Sequence, residues 1–172
     1  MKKIVVIFGL FYSLSGLAAE NSALFIDPHV AVGFNSAQGT HFIGGVDVGY
    51  FLDENWSVGI GAYYSAGEHP SDDREIGAGP FGAFTYPLAE FLVLHAREEI
   101  NYLDLYDPIL RNGDVVGHVG ETGVASVTSV GLHLSFMRHL GLSFGYRLVT
   151  ALTNSRLDDG RSGTFLGFSI GI

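Results

Sequence analysis

Polar and charged side chains recur at odd-numbered positions in several short segments whose even-numbered positions are apolar. The candidates are Asp27, His29, Asp47, Tyr63, His95, Arg97, Glu99, His133 and Arg147. If they share one enclosed face, each charge must be paired, so we predict ion pairs and hydrogen bonds built around the two arginines. The three histidines are of a type that binds transition metals, but they come from three separate segments, so we predict neither a metal site nor a cofactor.

Charge and composition exclude several classes of function. The 172 residues include 18 Asp and Glu against 9 Lys and Arg, which gives a net charge of -9. Nucleic-acid binding requires a basic surface, so we predict none. Because the chain has no cysteine, disulfides, thiolate nucleophiles and cysteine metal sites are also excluded.

Residues 1–18 have the pattern of a targeting segment. Lys2 and Lys3 supply positive charge, an apolar run follows from Ile4 to Leu14, and small residues stand at Gly16 and Ala18. The apolar run is shorter than the ~20 residues that a membrane-spanning helix needs. We therefore predict a cleaved signal peptide at 1–18 and one domain at 19–172.

The elements that position the polar candidates are strands. Apolar residues alternate with small or polar ones in eight segments, at 24–35, 42–53, 56–65, 76–88, 92–102, 129–136, 140–148 and 166–172. Such a period of two gives each strand one apolar and one polar face. A soluble lipocalin-like barrel would hold its apolar face inside, but here the other face is glycine, serine and charge, a poor lining for an apolar ligand. We predict an all-β fold, an eight-stranded antiparallel up-and-down transmembrane β-barrel.

The connections and aromatic residues fit the same fold. Short connections near 53–55, 87–90 and 137–139 alternate with longer polar ones at 68–75, 103–121 and 153–162, as periplasmic turns alternate with extracellular loops. Aromatic residues at both ends of the segments predict two girdles at the membrane interfaces. Their members are Phe34, Phe42, Tyr50, Trp56, Tyr64, Tyr86, Tyr102 and Phe136.

The long connections carry the residues that could meet a partner. They are rich in carboxylates, which suit divalent cations shared with lipopolysaccharide phosphates, although solvated loop charge explains them as well. Arg111, Arg156 and Arg161 could bind such phosphates directly. The connection 103–121 is unusually apolar, and three interpretations stay open: a cap on the barrel, a small hairpin, or contact with an external protein.

Over the whole of 19–172 the pattern resembles the small eight-stranded outer-membrane proteins grouped around OmpA and OmpX. The closing segment Thr164 to Ile172, with alternating Leu166, Phe168 and Ile170, is similar to the signal that the assembly machinery reads in that family. The family usually ends in an aromatic residue, and Ile172 departs from this. The resemblance implies a bacterial outer-membrane location and says little about activity.

Two other families of eight-stranded outer-membrane barrels are enzymes, which transfer a palmitoyl chain to lipid A or remove an acyl chain from it. The deacylase motif is a His-x-Ser-Asn run on the seventh strand, where this chain has Thr150-Ala151-Leu152-Thr153-Asn154. A His-x-Ser run does occur at His133 to Ser135, but its parity predicts both side chains on the polar face, away from lipid. We therefore do not predict an enzyme.

The leading hypothesis is a monomeric structural or interaction protein of the bacterial outer membrane. It would contact outer-membrane lipid and lipopolysaccharide, with a possible external protein partner bound through residues 103–121. The alternatives are a small-solute channel and a lipid A-modifying enzyme.

Overall fold

The computed structural model describes residues 24–36, 39–67, 73–111, 114–137, 140–157 and 160–170. The predicted signal peptide lies outside the described residues. Eight antiparallel strands form a closed barrel in which each strand pairs with the next and β1 pairs with β8. They are β1 (Leu24–Asn35), β2 (Gly39–Phe51), β3 (Trp56–Gly67), β4 (Arg74–Ala89), β5 (Leu92–Arg111), β6 (Asp114–Met137), β7 (Leu140–Ala151) and β8 (Gly163–Ile170). The predicted fold class is confirmed.

The alternation in the sequence places the apolar residues outside. On β3, Val58 and Ile60 are exposed, whereas Ser57 and Gly61, which flank them, are buried and Gly59 between them is half-buried. Ile60 keeps 66% of its surface exposed, which water would penalise and lipid would not. We call these two surfaces of the barrel the outer face and the inner face.

The two ends of the barrel differ. At the short-turn end, residues 52–55 join β2 to β3 and residues 90–91 join β4 to β5. Asp53 Oδ1 fixes the first turn by accepting hydrogen bonds from the backbone N–H groups of Asn55, at 2.7 Å, and Trp56, at 2.8 Å. The opposite end, which carries the longer connections, is called the long-loop end.

Residues 103–121 are not a loop. β5 continues to Arg111 and β6 begins at Asp114, and the two strands pair from Leu92–Leu134 to Arg111–Asp114, with one register shift at Ile109 and Leu110. β4 pairs with β5 no further than Tyr106, and β7 reaches only Ala125 on β6. The two strands therefore extend beyond the barrel as a two-stranded hairpin, as one of the three interpretations supposed. Glycines at 113, 117, 120 and 123 weaken the alternation there, which is why the strand ends were misplaced.

An apolar core fills the inner face at the long-loop end. It consists of Leu103, Leu105, Ala125, Val127, Val149 and Leu157. Leu157 comes from η1 (Ser155–Leu157), a short 3₁₀ helix in the connection between β7 and β8, and is completely buried. Among the described residues, no helix has the length and apolar character needed to cross a membrane.

Candidate functional site

The inner face carries two clusters of ion pairs. In the first, the Arg97 guanidinium donates two hydrogen bonds to the Asp47 carboxylate, and its Nε lies 2.7 Å from Glu99 Oε1. It also lies 3.8 Å from the centre of the Phe81 ring, which adds a cation–π contact. Because Asp47 and Glu99 come from β2 and β5, Arg97 links two sides of the barrel.

The second cluster is centred on Glu75, which is 1% exposed. Its carboxylate accepts hydrogen bonds from the Tyr63 hydroxyl and, at 3.0 Å, from Arg147 Nη2, while Arg161 Nη1 lies 3.5 Å away. The Arg147 guanidinium also lies 4.6 Å from the centre of the Tyr63 ring. Glu75 was predicted in the connection 68–75 but lies on β4; its odd number, shared with Gly77 and Gly79 of the same strand, was a usable signal.

Arg161 is part of this cluster and does not project toward lipid phosphates. It is 4% exposed, and its Nη2 lies 3.2 Å from Asp73 and 3.5 Å from Asp107. The expectation that Arg161 meets lipopolysaccharide is therefore wrong, because the loop carboxylates attract it into the barrel mouth. Arg156 instead pairs on the surface with Glu121, which raises the pKa of Arg156.

Every predicted polar candidate contributes to one cavity of about 510 Å³ on the inner face. The cavity extends from the two clusters toward the short-turn end, where Phe51 and Leu140 line it. Part of its wall is apolar, because Phe25 and Phe81 also line it and the Phe25 ring lies 4.7 Å from Phe51. The description of this face as glycine, serine and charge was therefore incomplete, since isolated phenylalanines at odd positions went unnoticed.

Not all of the candidates are joined by ion pairs. Asp27 lies directly opposite Asp47 in the β1–β2 register, beside His29, and its buried Oδ1 accepts no hydrogen bond from any described residue. His133 Nδ1 lies 2.9 Å from the Ser143 hydroxyl, so its partner is neutral. His95 lines the cavity near Arg97. His29, His95 and His133 do not form one cluster.

The aromatic girdle candidates lie on the outer face. The exposed members are Phe34, Phe42, Tyr50, Trp56, Tyr64, Tyr86 and Tyr102. The side chain of Phe136 lies outside the described part of the structure. Trp56 stands opposite Phe84 on β4, and their ring centres are 4.9 Å apart, so the short-turn end carries a packed aromatic pair. The girdle role itself stays a prediction.

A carboxylate on the outer face is held by two neighbouring hydroxyls. Glu98 on β5 is exposed on the outer face, and its two oxygens accept hydrogen bonds from the hydroxyls of Ser126 and Thr128 on β6. A charge that faces lipid costs free energy, and this cost falls toward the membrane interfaces. The two hydrogen bonds offset part of it.

The inner face also holds the His-x-Ser run that was considered for catalysis. His133 and Ser135 both line the cavity. The stretch Thr150 to Asn154 has a structural role, since Thr153 Oγ1 accepts a 2.8 Å hydrogen bond from the Val124 N–H and Asn154 Oδ1 accepts one from Arg156 N at 3.2 Å.

No family model and no curated protein matches the sequence. Solved structures do match. The chain is similar to Neisserial surface protein A at 13% identity, covering 87% of this chain and 97% of that one with a TM-score of 0.63. It is also similar to the N-terminal β-barrel domain of Pseudomonas aeruginosa OprF at 11% identity, covering 88% and 100% with a TM-score of 0.62. The fold is that of the small outer-membrane β-barrels.

The same fold is shared by an enzyme. The chain is similar to the outer membrane enzyme PagL at 16% identity, covering 85% of this chain and 99% of that one with a TM-score of 0.53. At these identities the likeness is one of fold alone, since one barrel fold supports several activities. The activity of this small barrel must be argued from its own residues.

Proposed function

We propose that this chain is an integral protein of the bacterial outer membrane that binds an external protein partner through the hairpin beyond its barrel. The apolar outer face supports the membrane location, because a closed barrel satisfies its backbone hydrogen bonds internally and leaves apolar side chains for lipid. The predicted targeting segment at 1–18 and the fold likeness to outer-membrane barrels support it further.

The observation that carries the partner proposal is the hairpin tip, residues 107–119. In this part of β5 and β6 the described residues pair with each other, with β4 already ended and β7 not yet reached. Within the described ranges neither outer edge of the tip pairs with a further strand, so both edges offer backbone groups to one. A two-stranded hairpin in water is only marginally stable alone, so a partner strand that binds at its edge would stabilise it.

The side chains of the tip are suited to a protein rather than to lipopolysaccharide phosphates. Ile109, Val116 and Val119 are exposed apolar residues of the tip, which also carries the exposed Arg111. Apolar side chains beside a strand edge can be covered by a protein partner, whereas phosphate groups gain nothing from them.

The filled interior of the barrel favours a function in binding at the surface over the conduction of solutes. Leu103, Leu105 and Leu157 pack across the interior at the long-loop end, together with the ion pairs of Glu75. A water-filled path needs a polar, open interior, and small barrels of eight strands are normally filled by side chains. We therefore do not favour the channel alternative.

The test is site-specific photocrosslinking in the native outer membrane. A benzophenone amino acid at Val119 should give a discrete protein adduct, whereas the same probe at Ile60, on the lipid-facing surface, should give lipid adducts. Replacing residues 109–117 by Asn-Gly, which leaves the Pro108–His118 pair to flank a two-residue turn, should keep the barrel folded and abolish partner binding. Absence of a protein adduct at Val119 and at Val116 would overturn the proposal.

A further inference from the structure

Asp27, His29 and Asp47 form a compact group on the inner face, in the wall of the cavity. One donor atom from each residue can be chosen so that all three atoms lie within 4.8 Å of one another. His29 Nδ1 is 3.7 Å from Asp47 Oδ2 and 3.4 Å from the Asp27 carbonyl oxygen. The group is held by paired strands, because Asp27 on β1 stands directly opposite Asp47 on β2.

Two like charges directly opposite each other on one face of a sheet are destabilising, so this arrangement needs a compensating cation. Arg97 does not supply enough charge, because it pairs with both Asp47 and Glu99. The other arginines of the inner face, Arg147 and Arg161, pair with Glu75 in the second cluster. Arg97 thus serves Asp47 and Glu99, Arg147 also attracts Glu99, and Asp27 is the carboxylate of this group that forms no ion pair with an arginine of the described structure.

An independent observation also points to a missing ligand. Asp27 Oδ1 is buried and accepts no hydrogen bond within the described structure. Burying a carboxylate oxygen without a partner costs several kcal/mol in general, so such atoms are usually paired or bound to a metal. The unpartnered oxygen belongs to the same residue whose charge lacks a counterion.

We propose that Asp27, His29 and Asp47 bind one divalent transition-metal ion, with Zn²⁺ as the first candidate. Two carboxylates and an imidazole form a mixed oxygen and nitrogen donor set that suits Zn²⁺ and its neighbours. Donors around tetrahedral Zn²⁺ lie roughly 3.4 Å apart, from bond lengths of about 2.0–2.2 Å, so small side-chain rotations close the group on the ion. The ion would cancel the excess charge and cross-link β1 to β2, and its remaining coordination positions would face the cavity.

The site is separate from the hairpin tip and does not depend on the proposed partner. All three residues line the cavity of about 510 Å³, which extends toward the short-turn end. This places the ion on the opposite side of the apolar core from the tip. Failure of one proposal therefore leaves the other unaffected.

Metal binding is tested on the tag-free chain refolded in detergent, stripped with EDTA and dialysed against Zn²⁺. Mass spectrometry of the bound metal should give one Zn²⁺ per chain, and Co²⁺ in its place should give visible absorption bands. Asp27→Asn and His29→Asn should each weaken Zn²⁺ binding by about tenfold or more. His133→Asn changes another histidine of the same cavity and should bind as the unchanged chain does.

A second measurement compares the free energy of unfolding in EDTA with that in Zn²⁺. In EDTA, Asp27→Asn should raise the free energy of unfolding, because it removes one of two opposed charges; with Zn²⁺ present, it should lower that free energy relative to the unchanged chain. Any one of three results would rule out the site. They are no binding of Zn²⁺, binding to both ligand variants as strong as to the unchanged chain, or the same order of stability between Asp27→Asn and the unchanged chain with Zn²⁺ as in EDTA. In that case a proton on Asp27 relieves the repulsion instead.

Discussion

At the scale of single residues, the odd or even number of a position predicted the surroundings of its side chain better than the composition of the connections did. Asp47, Arg97 and Glu99 were expected on one face, and the structure brings these three together. The partner of Arg147 could not be predicted, because Glu75 was counted with a polar connection and no pattern shows which strands meet across a barrel. The same limit hid the opposition of Asp27 and Asp47, which depends on the register of β1 and β2.

The buried ion pairs lead to a prediction at this scale. Arg97→Met should lower the free energy of unfolding by about 3–5 kcal/mol, because Asp47 and Glu99 would remain enclosed without their cation. The Arg97 side chain is 14% exposed, whereas that of Arg156 in its pair with Glu121 is 74% exposed. Arg156→Met is therefore the matched control and should change stability little, since water screens an exposed pair.

Urea unfolding of both variants in lipid vesicles measures the difference. Equal losses for Arg97→Met and Arg156→Met would show that the inner cluster does not stabilise the barrel.

At the scale of elements, the eight strands followed from alternation, but their lengths did not. β5 and β6 contain 20 and 24 residues, and their parts at 103–111 and 114–121 were predicted as a connection because glycines and charges interrupt the apolar positions. The 3₁₀ helix η1 was also missed. It is three residues long and depends on the burial of Leu157 among side chains from other strands, which a local pattern does not reveal.

Element η1 can be tested through its anchoring leucine. Leu157→Ala should lower the free energy of unfolding by about 2–5 kcal/mol, because it leaves a cavity in the apolar core at the long-loop end. Leu152→Ala is the control in the same connection, since Leu152 is 54% exposed while Leu157 is fully buried. Thermal or urea unfolding should separate the two; a neutral Leu157→Ala would contradict the role of η1 as part of the core.

Tyr106 is the last residue of β5 that pairs with β4, and the hairpin tip follows it. Its hydroxyl group donates a 2.7 Å hydrogen bond to Asp104 Oδ2, and this carboxylate raises the pKa of Tyr106. Beyond Tyr106, no other strand of the described structure pairs with β5 or β6. The element that the sequence described least well is thus the one on which the partner proposal depends.

At the scale of the whole molecule, the closure of the sheet and the face that it turns inward determine which side chains are enclosed. The barrel places an apolar surface outside and two ion-paired clusters, an apolar core and a cavity inside. The sequence predicted the outer surface well, because it depends only on the period of two. The division of the interior into a filled long-loop end and a hollow short-turn end could not be predicted, since it depends on which side chains from non-adjacent strands share a level.

The even-numbered face of the barrel is expected to lie in lipid, and neighbouring positions on opposite faces test this orientation most directly. Trp56, the only tryptophan, is first replaced by phenylalanine; tryptophan is then introduced as Ile60→Trp on the outer face or Phe81→Trp on the inner face. In vesicles of brominated lipid, we expect strong quenching of the Ile60→Trp emission and little quenching of the Phe81→Trp emission. Stronger quenching at position 81, or none at either position, would contradict a transmembrane barrel of this orientation.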